Sequence, residues 1–541
     1  MRLSEVQRRV ADSSTVVDKV VEFFAPVTAL RRAKARTMLA LHGGYEGGRR
    51  TRRGTKNWRP AEGSADTDTL PDLPDLRARS RDLVRNVPIA TGAVSTKCTN
   101  VVGTGLQMQS CIDHEYLGLT EEQADAWERG AEREFAAACR TLDFTSVQDF
   151  EEFQYLAFRS ADESGDVFGI RRYRKDPGDI YGTKVQLVEA DRVSNPSRAA
   201  DTDKIAGGVE LNTNGVPVAY HVTDKHPGGL RIAGMKWERV QAQTGAGKQV
   251  VIHLFERLRP DQTRGVPYLA PVIDMIKQLG DYTDSEVRAA VLTSFITWFI
   301  KSELPEDPDS SKPILGEVDS SLDRNEIKLG SGAMVDLNPG EDVTAPAPVR
   351  PNPQFDPFFL AMTRQIGVAL EIPHELLIKH FTASYSASRA ALEMAWQSFR
   401  RWRLWFARNF CQTIYEWIIE EAVATGRLAA PGYFEDPLVA HAYCKAMWIG
   451  PNRASIDPKR EAEADKIDVL ELRVKTREQV VLERTGGRWE DKNRQLIKEE
   501  SAIPERRGAA ASAATAQADE PYDSGASSDA EDETQAIRGR A

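Results

Sequence analysis

The residues of this chain best suited to chemistry are a glycine-rich lysine loop, a small group of acids and eight scattered histidines. Gly245-Ala246-Gly247-Lys248-Gln249 resembles the end of a phosphate loop, where backbone N–H groups and a lysine cradle phosphates. It lacks the leading glycine of that motif, and Gln249 stands where a metal-binding Ser or Thr is needed. It also precedes a strand, whereas a phosphate loop follows one. Gly103-Thr104-Gly105 lacks the third glycine of a dinucleotide fingerprint and ends a helix instead of opening one. Asp162, Glu163 and Asp166 could be imagined as a nuclease site. No Lys or His constellation accompanies them, so they read as a solvated loop. His374 and His380 sit across a loop, away from metal-ligand spacing. Neither G-x-S-x-G nor H-E-x-x-H occurs. Cys98, Cys111, Cys139, Cys411 and Cys444 form no C-x-x-C pair, which argues against a disulfide scaffold or zinc site and fits a reducing compartment. The expectation is therefore no catalytic, cofactor-binding or metal-ligating residue, and a chain of 60.1 kDa without such machinery points to a structural or conduit protein.

Composition sets further bounds. The 541 residues allow about three domains, and a net charge of −10 excludes nucleic-acid binding by bulk electrostatics. Charge is uneven: residues 31–59 carry ten Lys/Arg against one Glu, whereas the C-terminal tail is acidic. The N-terminus carries charges throughout and lacks the apolar run of a signal peptide, so none is expected. Residues 1–65 read as a basic, partly disordered arm, and residues 505–541 as a disordered acidic tail.

The elements between them predict an α+β, predominantly helical protein. Helices are expected at 76–84, 89–102, 120–140 and 145–160. Strands are expected at 167–173, 185–190, 209–211, 216–222 and 250–255, with Asn212-Thr213-Asn214-Gly215 as a hairpin turn. A rod over 268–302 follows, with an apolar face that includes Ile273, Ile276, Val287, Val291, Phe295 and Trp298. At about 1.5 Å per residue it would reach roughly 50 Å. Residues 303–353 are proline-rich, with short strand candidates at 326–329 and 333–336, and read as a projection. A helix over 357–370, a break at 378–384 and a second long helix over 385–425 come next. The aromatic stripe of that last helix, with Trp396, Phe399, Trp402, Phe406 and Phe410, reads as core. Residues 431–504 read as a smaller helical region, in which Thr476-Arg477-Glu478-Gln479 has the spacing of a capping box. Rods this long are hard to bury in one chain and easier to bury among neighbouring copies.

Several stretches carry a resemblance. They are residues 77–86 with 90–93, Val101-Val102-Gly103-Thr104-Gly105, residues 259–267, Ile372-Pro373-His374-Glu375-Leu376-Leu377, residues 385–390, Trp448-Ile449-Gly450-Pro451 and Ile456-Asp457-Pro458. In this order and spacing the chain, over about 75–500, resembles the lambda-type portal proteins of tailed bacteriophages. The resemblance implies a homo-oligomeric ring, usually dodecameric, at one capsid vertex. It implies an α/β wing at 66–263, stem helices at 264–302 and 354–372, a clip at 303–353, a tunnel loop and long wing helix at 373–430, and a helical crown at 431–504.

That family role would make the ring a channel for double-stranded DNA entering during packaging and leaving at ejection. Its implied partners are the terminase large subunit, the major capsid and scaffold proteins, and head-completion proteins. Its places are the virion and, during assembly, the host cytoplasm, with no membrane. Tunnel candidates are Lys379, His380, Ser384 and Arg389, where Arg389 either touches phosphate lightly or pairs within the fold. Clip docking candidates are Pro313, Ile314, Leu315, Val335 and Leu337. Two other classes stay open here: a DNA-processing enzyme of a phage, and a cytoplasmic helical scaffold without a nucleic-acid role.

Overall fold

The computed structural model describes residues 26–28, 30, 31, 34, 57–229, 234–294, 299–302, 341–344, 352–381, 384–451, 458–485 and 489–502. The chain divides into two units. The smaller comprises Met1–Pro71 with Arg259–Gln262. It contains α1 (Ala65–Thr69), capped by Ser64, whose hydroxyl accepts the Thr67 N–H. Arg259 joins its two segments, through an ion pair of 2.6 Å to Asp68 and a 3.0 Å hydrogen bond to the Gly63 carbonyl.

The larger unit opens with α2 (Leu73–Asn86) and α3 (Pro88–Val101), separated where Val87 adopts an extended conformation ahead of Pro88. Strand β1 (Gln107–Ser110) and a single turn, α4 (His114–Leu117), lead to α5 (Glu121–Cys139). The last of these starts at a complete capping box between Thr120 and Gln123. Helix α6 (Phe150–Ser164) starts later than the pattern at 145–160 suggests. Asp149 caps it, and the Asp143 carboxylate accepts the N–H groups of Thr145, Val147 and Gln148, which hold that stretch as a loop.

Two antiparallel sheets follow. One has the order β3 (Thr183–Glu189), β2 (Asp166–Tyr173), β8 (Val251–Phe255). The other runs β4 (Ile205–Ala206), β5 (Val209–Leu211), β6 (Pro217–Thr223), β7 (Trp237–Gln241). The expected turn joins β5 to β6. Asn212 Oδ1 accepts from Asn214 and Val216, and Gly215 takes a φ of 74°. Because strand side chains alternate between faces, the three-stranded sheet separates two cores. Phe168, Ile170, Val188 and Val251 face a β core shared with Val209, Tyr220 and Val222. Val167, Val185, Ile252 and Leu254 face the larger helical core.

Helix α7 (Ile273–Ser294) follows a short 3-10 turn at Ala270–Val272. The rod expected to reach residue 302 is shorter. At 22 residues it spans roughly 33 Å, and Phe299–Ser302 is a strand, β9, paired antiparallel with β10 (Glu341–Thr344). The reason lies in Phe299 and Ile300, aromatic and β-branched residues that fit a ladder as well as a helix. Helix α8 (Phe355–Ala369) pairs with α7, where Tyr282 stacks on Phe355 with centroids 5.7 Å apart and meets Phe358 edge-on at 5.0 Å. After α9 (His374–Leu377) the second long helix runs as α10 (Tyr385–Phe406), a π-helical turn at Ala407–Cys411, and α11 (Gln412–Ala424). Its stripe of Trp396, Phe399, Trp402, Phe406, Phe410, Ile414 and Ile418 is buried in the main core.

The chain closes with α12 (Pro437–Tyr443), β11 (Ala446–Ile449), α13 (Pro458–Lys466), a π turn at Ile467–Glu471, α14 (Arg477–Thr485) and α15 (Trp489–Ala502). The expected capping box at Thr476 and Gln479 forms. The sequence reading groups all of 431–504 together, but β11 pairs with β1, and Tyr433, Tyr443 and Cys444 lie in the main core. Residues 433–449 therefore complete the body laid down by α2 to β8. No residue of α13 to α15 whose exposure is described is buried. The strand candidates at 326–329 and 333–336 and most of the basic arm lie outside the described residues.

Gly165 ends α6 with a φ of 91°, and its backbone crosses directly over Gly265. A Cβ at Gly165 would lie 2.5 Å from the Gly265 carbonyl oxygen, and one at Gly265 would collide with the Gly165 carbonyl. Neither neighbour is a flexible side chain that could yield. Gly265→Ala is expected to destabilise the fold by more than about 3 kcal/mol, read as loss of soluble protein and of its thermal transition. Gly245→Ala, in an open loop, serves as the silent control.

Candidate functional site

The acids Asp162 and Asp166, expected on a solvated loop, are instead buried at the end of α6 and the start of β2. Asp166 is fully buried and sits between two arginines. Arg77 on α2 donates to its Oδ1 at 2.9 Å, and Arg264 engages both oxygens in the fork geometry that suits a carboxylate. The remaining Arg264 donors reach the carbonyls of Ala190, Val193 and Gly207, so one side chain ties β2 to the connections leading to β4 and β5. Gly265 N–H adds a further bond to Asp166 at 3.2 Å. His253 stacks on Phe168 at 4.3 Å and meets Asp166 at 3.2 Å. Burial by itself would raise the Asp166 carboxyl, but Arg264 and Arg77 overcome it and hold the group well below the usual carboxylate range. Burial pushes His253 down to about 4, against the opposing pull of Asp166.

Asp162 forms a second buried pair, with Lys97 of α3 at 2.7 Å. The ammonium also lies 3.9 Å from the Tyr268 ring centroid and 4.2 Å from that of Trp402. Burial raises the Asp162 carboxyl, and Lys97 opposes the rise. Both carboxylates are thus committed to cations within the fold and are not available to hold a metal ion for hydrolysis. Spacing alone could not show this, because the partners lie 65 to 98 residues away.

Among the described residues one other acidic group comes together: the ligand atoms of Glu189, Asp191 and His226 lie within 4.8 Å of one another. It is an ion-pair cluster. Arg81 contacts both carboxylates. His226 Nδ1 accepts the Gly228 N–H at 3.0 Å, so in the neutral ring Nε2 carries the hydrogen and faces Glu189 as a donor.

Of the other expected positions, Ile276 is buried in the chain's own core and Ile273 is half-buried. Val287 and Val291, on the same helix, are 57% and 52% exposed. Phe295 and Trp298 lie outside the described residues, as do Pro313, Ile314, Leu315, Val335 and Leu337. Lys379, His380, Ser384 and Arg389 are all exposed, and no ion pair holds Arg389 among the described residues. These four bracket the break between α9 and α10. The chain reaches it through two successive helix ends of one kind. Ile372 N–H bonds to the Gly367 carbonyl, and His380 N–H to the Glu375 carbonyl. The residues just before those two donors, Glu371 and Lys379, each take a φ of 54°. Left-handed backbone normally falls to glycine, so both helix ends carry local strain.

A family model described as phage portal protein, lambda family, matches residues 51–403. The chain belongs to this family. Among its relatives, the portal protein of Escherichia phage N15 is 26% identical over 494 residues, covering 86% of this chain and 91% of that one. Portal protein B of Escherichia phage lambda is 25% identical over 488 residues, covering 86% and 90%. Among solved structures, a chain in the neck of an empty GTA particle, computed with C6 symmetry, aligns with a TM-score of 0.41 at 14% identity, covering 79% of this chain and 95% of that one. A chain in the neck of a native GTA particle, computed with C12 symmetry, aligns at 0.39 and 12% identity, covering 76% and 98%.

Within this portal-family chain, the arginine hub was the feature missed by sequence reasoning, although Arg77 and Arg264 both lie in the stretches that carried the resemblance. The hub makes stability dependent on pH. The folded-state value of His253 is depressed from 6.5 to about 4, so the unfolded chain binds the extra proton first, and stability falls as pH drops through that window. Asp166 is also depressed, so its contribution is present above the ordinary carboxylate range and is lost only at lower pH. His253→Gln, which retains a donor toward Asp166, is expected to flatten the decline between pH 6.5 and about 4. Thermal unfolding across that range would test it, and an unchanged slope would contradict the assignment.

Proposed function

We propose that copies of this chain close into a ring, the portal at one capsid vertex, through which double-stranded DNA enters during packaging and leaves at ejection. The observation that carries the ring is the hairpin of α7 and α8. It packs on itself through Tyr282, Phe355 and Phe358, yet leaves Val287, Val291, Phe358 and Val368 between 45% and 82% exposed. Exposed apolar groups on two adjacent helices call for cover, and neighbouring copies supply it. Family membership across 51–403 supports the same reading. The described parts of α13 to α15, with no buried residue of their own, are covered in the same way.

In this reading α7 and α8 are the stem, residues 303–353 are the clip that docks the terminase large subunit and later the head-completion proteins, and the capsid and scaffold proteins surround the body. A dodecamer is the expected stoichiometry. Lys379, His380, Ser384 and Arg389 line the tunnel. Their sparse positive charge on a subunit of net charge −10 suits passage without grip, because each neutralised phosphate adds salt-dependent affinity. A separate ATPase supplies the work of translocation. No helix among the described residues is long and apolar enough to cross a membrane. The DNA-processing alternative loses its support, since the acids it would need are locked to Lys97, Arg77 and Arg264.

Light scattering on the purified chain should give a mass many times 60.1 kDa, with annular particles by negative stain. Val287→Glu with Val291→Glu changes exposed positions, so each subunit should remain folded within about 0.5 kcal/mol while the ring is lost. A ring that survives this pair would place the interface elsewhere. Replacing the apolar and proline positions in 313–346 should spare vertex assembly and abolish motor docking, and packaging that persists would overturn the clip assignment.

A further inference from the structure

Strand β1 pairs with another strand along one edge only, that of β11. The ladder continues at Cys111, whose N–H donates to the Lys445 carbonyl at 3.0 Å. Bonded residues alternate along an antiparallel pair, so the N–H groups of residues 106, 108, 110 and 112 point away from β11. Side chains of α5 and α6 meet most of them. Leu106 N–H donates to Gln154 Oε1 at 2.9 Å, Ser110 N–H to Glu132 Oε1 at 3.1 Å and Ile112 N–H to Glu128 Oε1 at 2.9 Å. Met108 breaks the series, because no partner among the described residues meets its outward N–H. A cavity of about 410 Å³ opens at this gap, lined by Met108, Phe135 and Arg140 together with Glu132, Asp149 and Glu151. Asp149 and Glu151 also line a second cavity of about 870 Å³, with Glu152, Tyr155 and Leu156. The two form one groove across the start of α6, of a size that ligand sites commonly have. Its free charge is acidic. Arg159, which also lines it, is held by Glu163 at 2.6 Å, whereas Glu151 and Glu152 have no ion pair among the described residues.

An occupant of the gap must accept from the Met108 N–H and donate to the Met108 carbonyl, which points the same way. The acids would repel an anion, and a metal ion cannot accept a hydrogen bond. A peptide backbone offers both groups, and an extended peptide can extend an open sheet edge as an added strand. We propose that this groove binds an extended, lysine- or arginine-rich segment of a partner protein. The segment pairs with β1 at Met108, sets basic side chains against Glu151 and Glu152, and lays apolar ones on Tyr155 and Leu156. The site rests on the fold alone and stands whether or not the chain forms a ring.

The test uses the full-length protein and a capped synthetic hexapeptide of alternating arginine and valine. Saturating peptide should slow amide exchange at Met108 about tenfold and leave Gln109, already bonded in the ladder, within about twofold. Glu151→Gln with Glu152→Gln should weaken binding about tenfold at low salt. Met108→Pro removes the free donor at a position where an edge strand tolerates proline, and should weaken binding by a similar factor. Should that variant fail to fold, peptides N-methylated at one backbone position at a time replace it. Only methyl groups on alternate residues should abolish binding, since only alternate N–H groups face β1. Equal binding of a glutamate–valine hexapeptide would overturn the proposal, and so would equal binding by the Met108→Pro protein or of every methylated peptide. Absence of binding overturns it too. A Met108 amide that exchanges in the free protein as slowly as Gln109 would mean that the chain covers this edge itself, and overturns it as well.

Discussion

Everything in the larger unit depends on charge being neutralised inside it. Arg264 is among the largest fully buried side chains, and its guanidinium is satisfied by Asp166 and three backbone carbonyls. Removing a charge from water is expensive, and an ion pair stripped of one partner is strongly destabilising. The arrangement is therefore all or nothing: helix α2, strand β2 and the segment that feeds α7 must be in place together, or the charges stay solvated. It fixes direction as well as position, because a fork that grips a carboxylate and three carbonyls permits few orientations. The chain thus enters α7 along a determined line.

Much of the architecture was legible because local chemistry and tertiary demand agreed. Alternating apolar residues gave β2, β3 and β8, the Asn212–Gly215 turn gave the β5–β6 hairpin, and Thr476 with Gln479 gave a helix start. The illegible parts share one cause, namely partners distant in the sequence. Strand β1 finds β11 more than 300 residues later, and nothing in four residues of mixed polarity announces it. The run 299–302 was equally compatible with a rod and a strand until β10 supplied a ladder. The acids at 162 and 166 looked solvated because neither Lys97 nor the two arginines could be placed beside them from spacing. Of the candidate site, Lys379, His380, Ser384 and Arg389 are exposed around the break between α9 and α10, and any partner they have outside this chain is not written in one copy of it.

The two ends of α7 behave differently, and the contrast unites fold with function. Near its start Val272, Ile276 and Leu279 are buried in the subunit's own core, while Val287 and Val291 face outward. One helix is thus rooted in the core at its start and left exposed further along. The same division recurs in the chain as a whole, with a body that closes on itself through β1 and β11 and appended helices that do not.

The π-helical turn at Ala407–Cys411 has a geometric consequence for the second long helix. The core positions from Trp402 onward recur at every fourth residue: Phe406, Phe410, Ile414, Ile418 and Ala422. On a regular α-helix a four-residue step overshoots a full rotation by roughly 40°, so the stripe would spiral away from its partners within a few steps. A single wide turn, holding one more residue than usual, winds part of that drift back. It acts as a phase correction, by which a sequence with the wrong period for a straight helix still keeps its large side chains pointed at one wall.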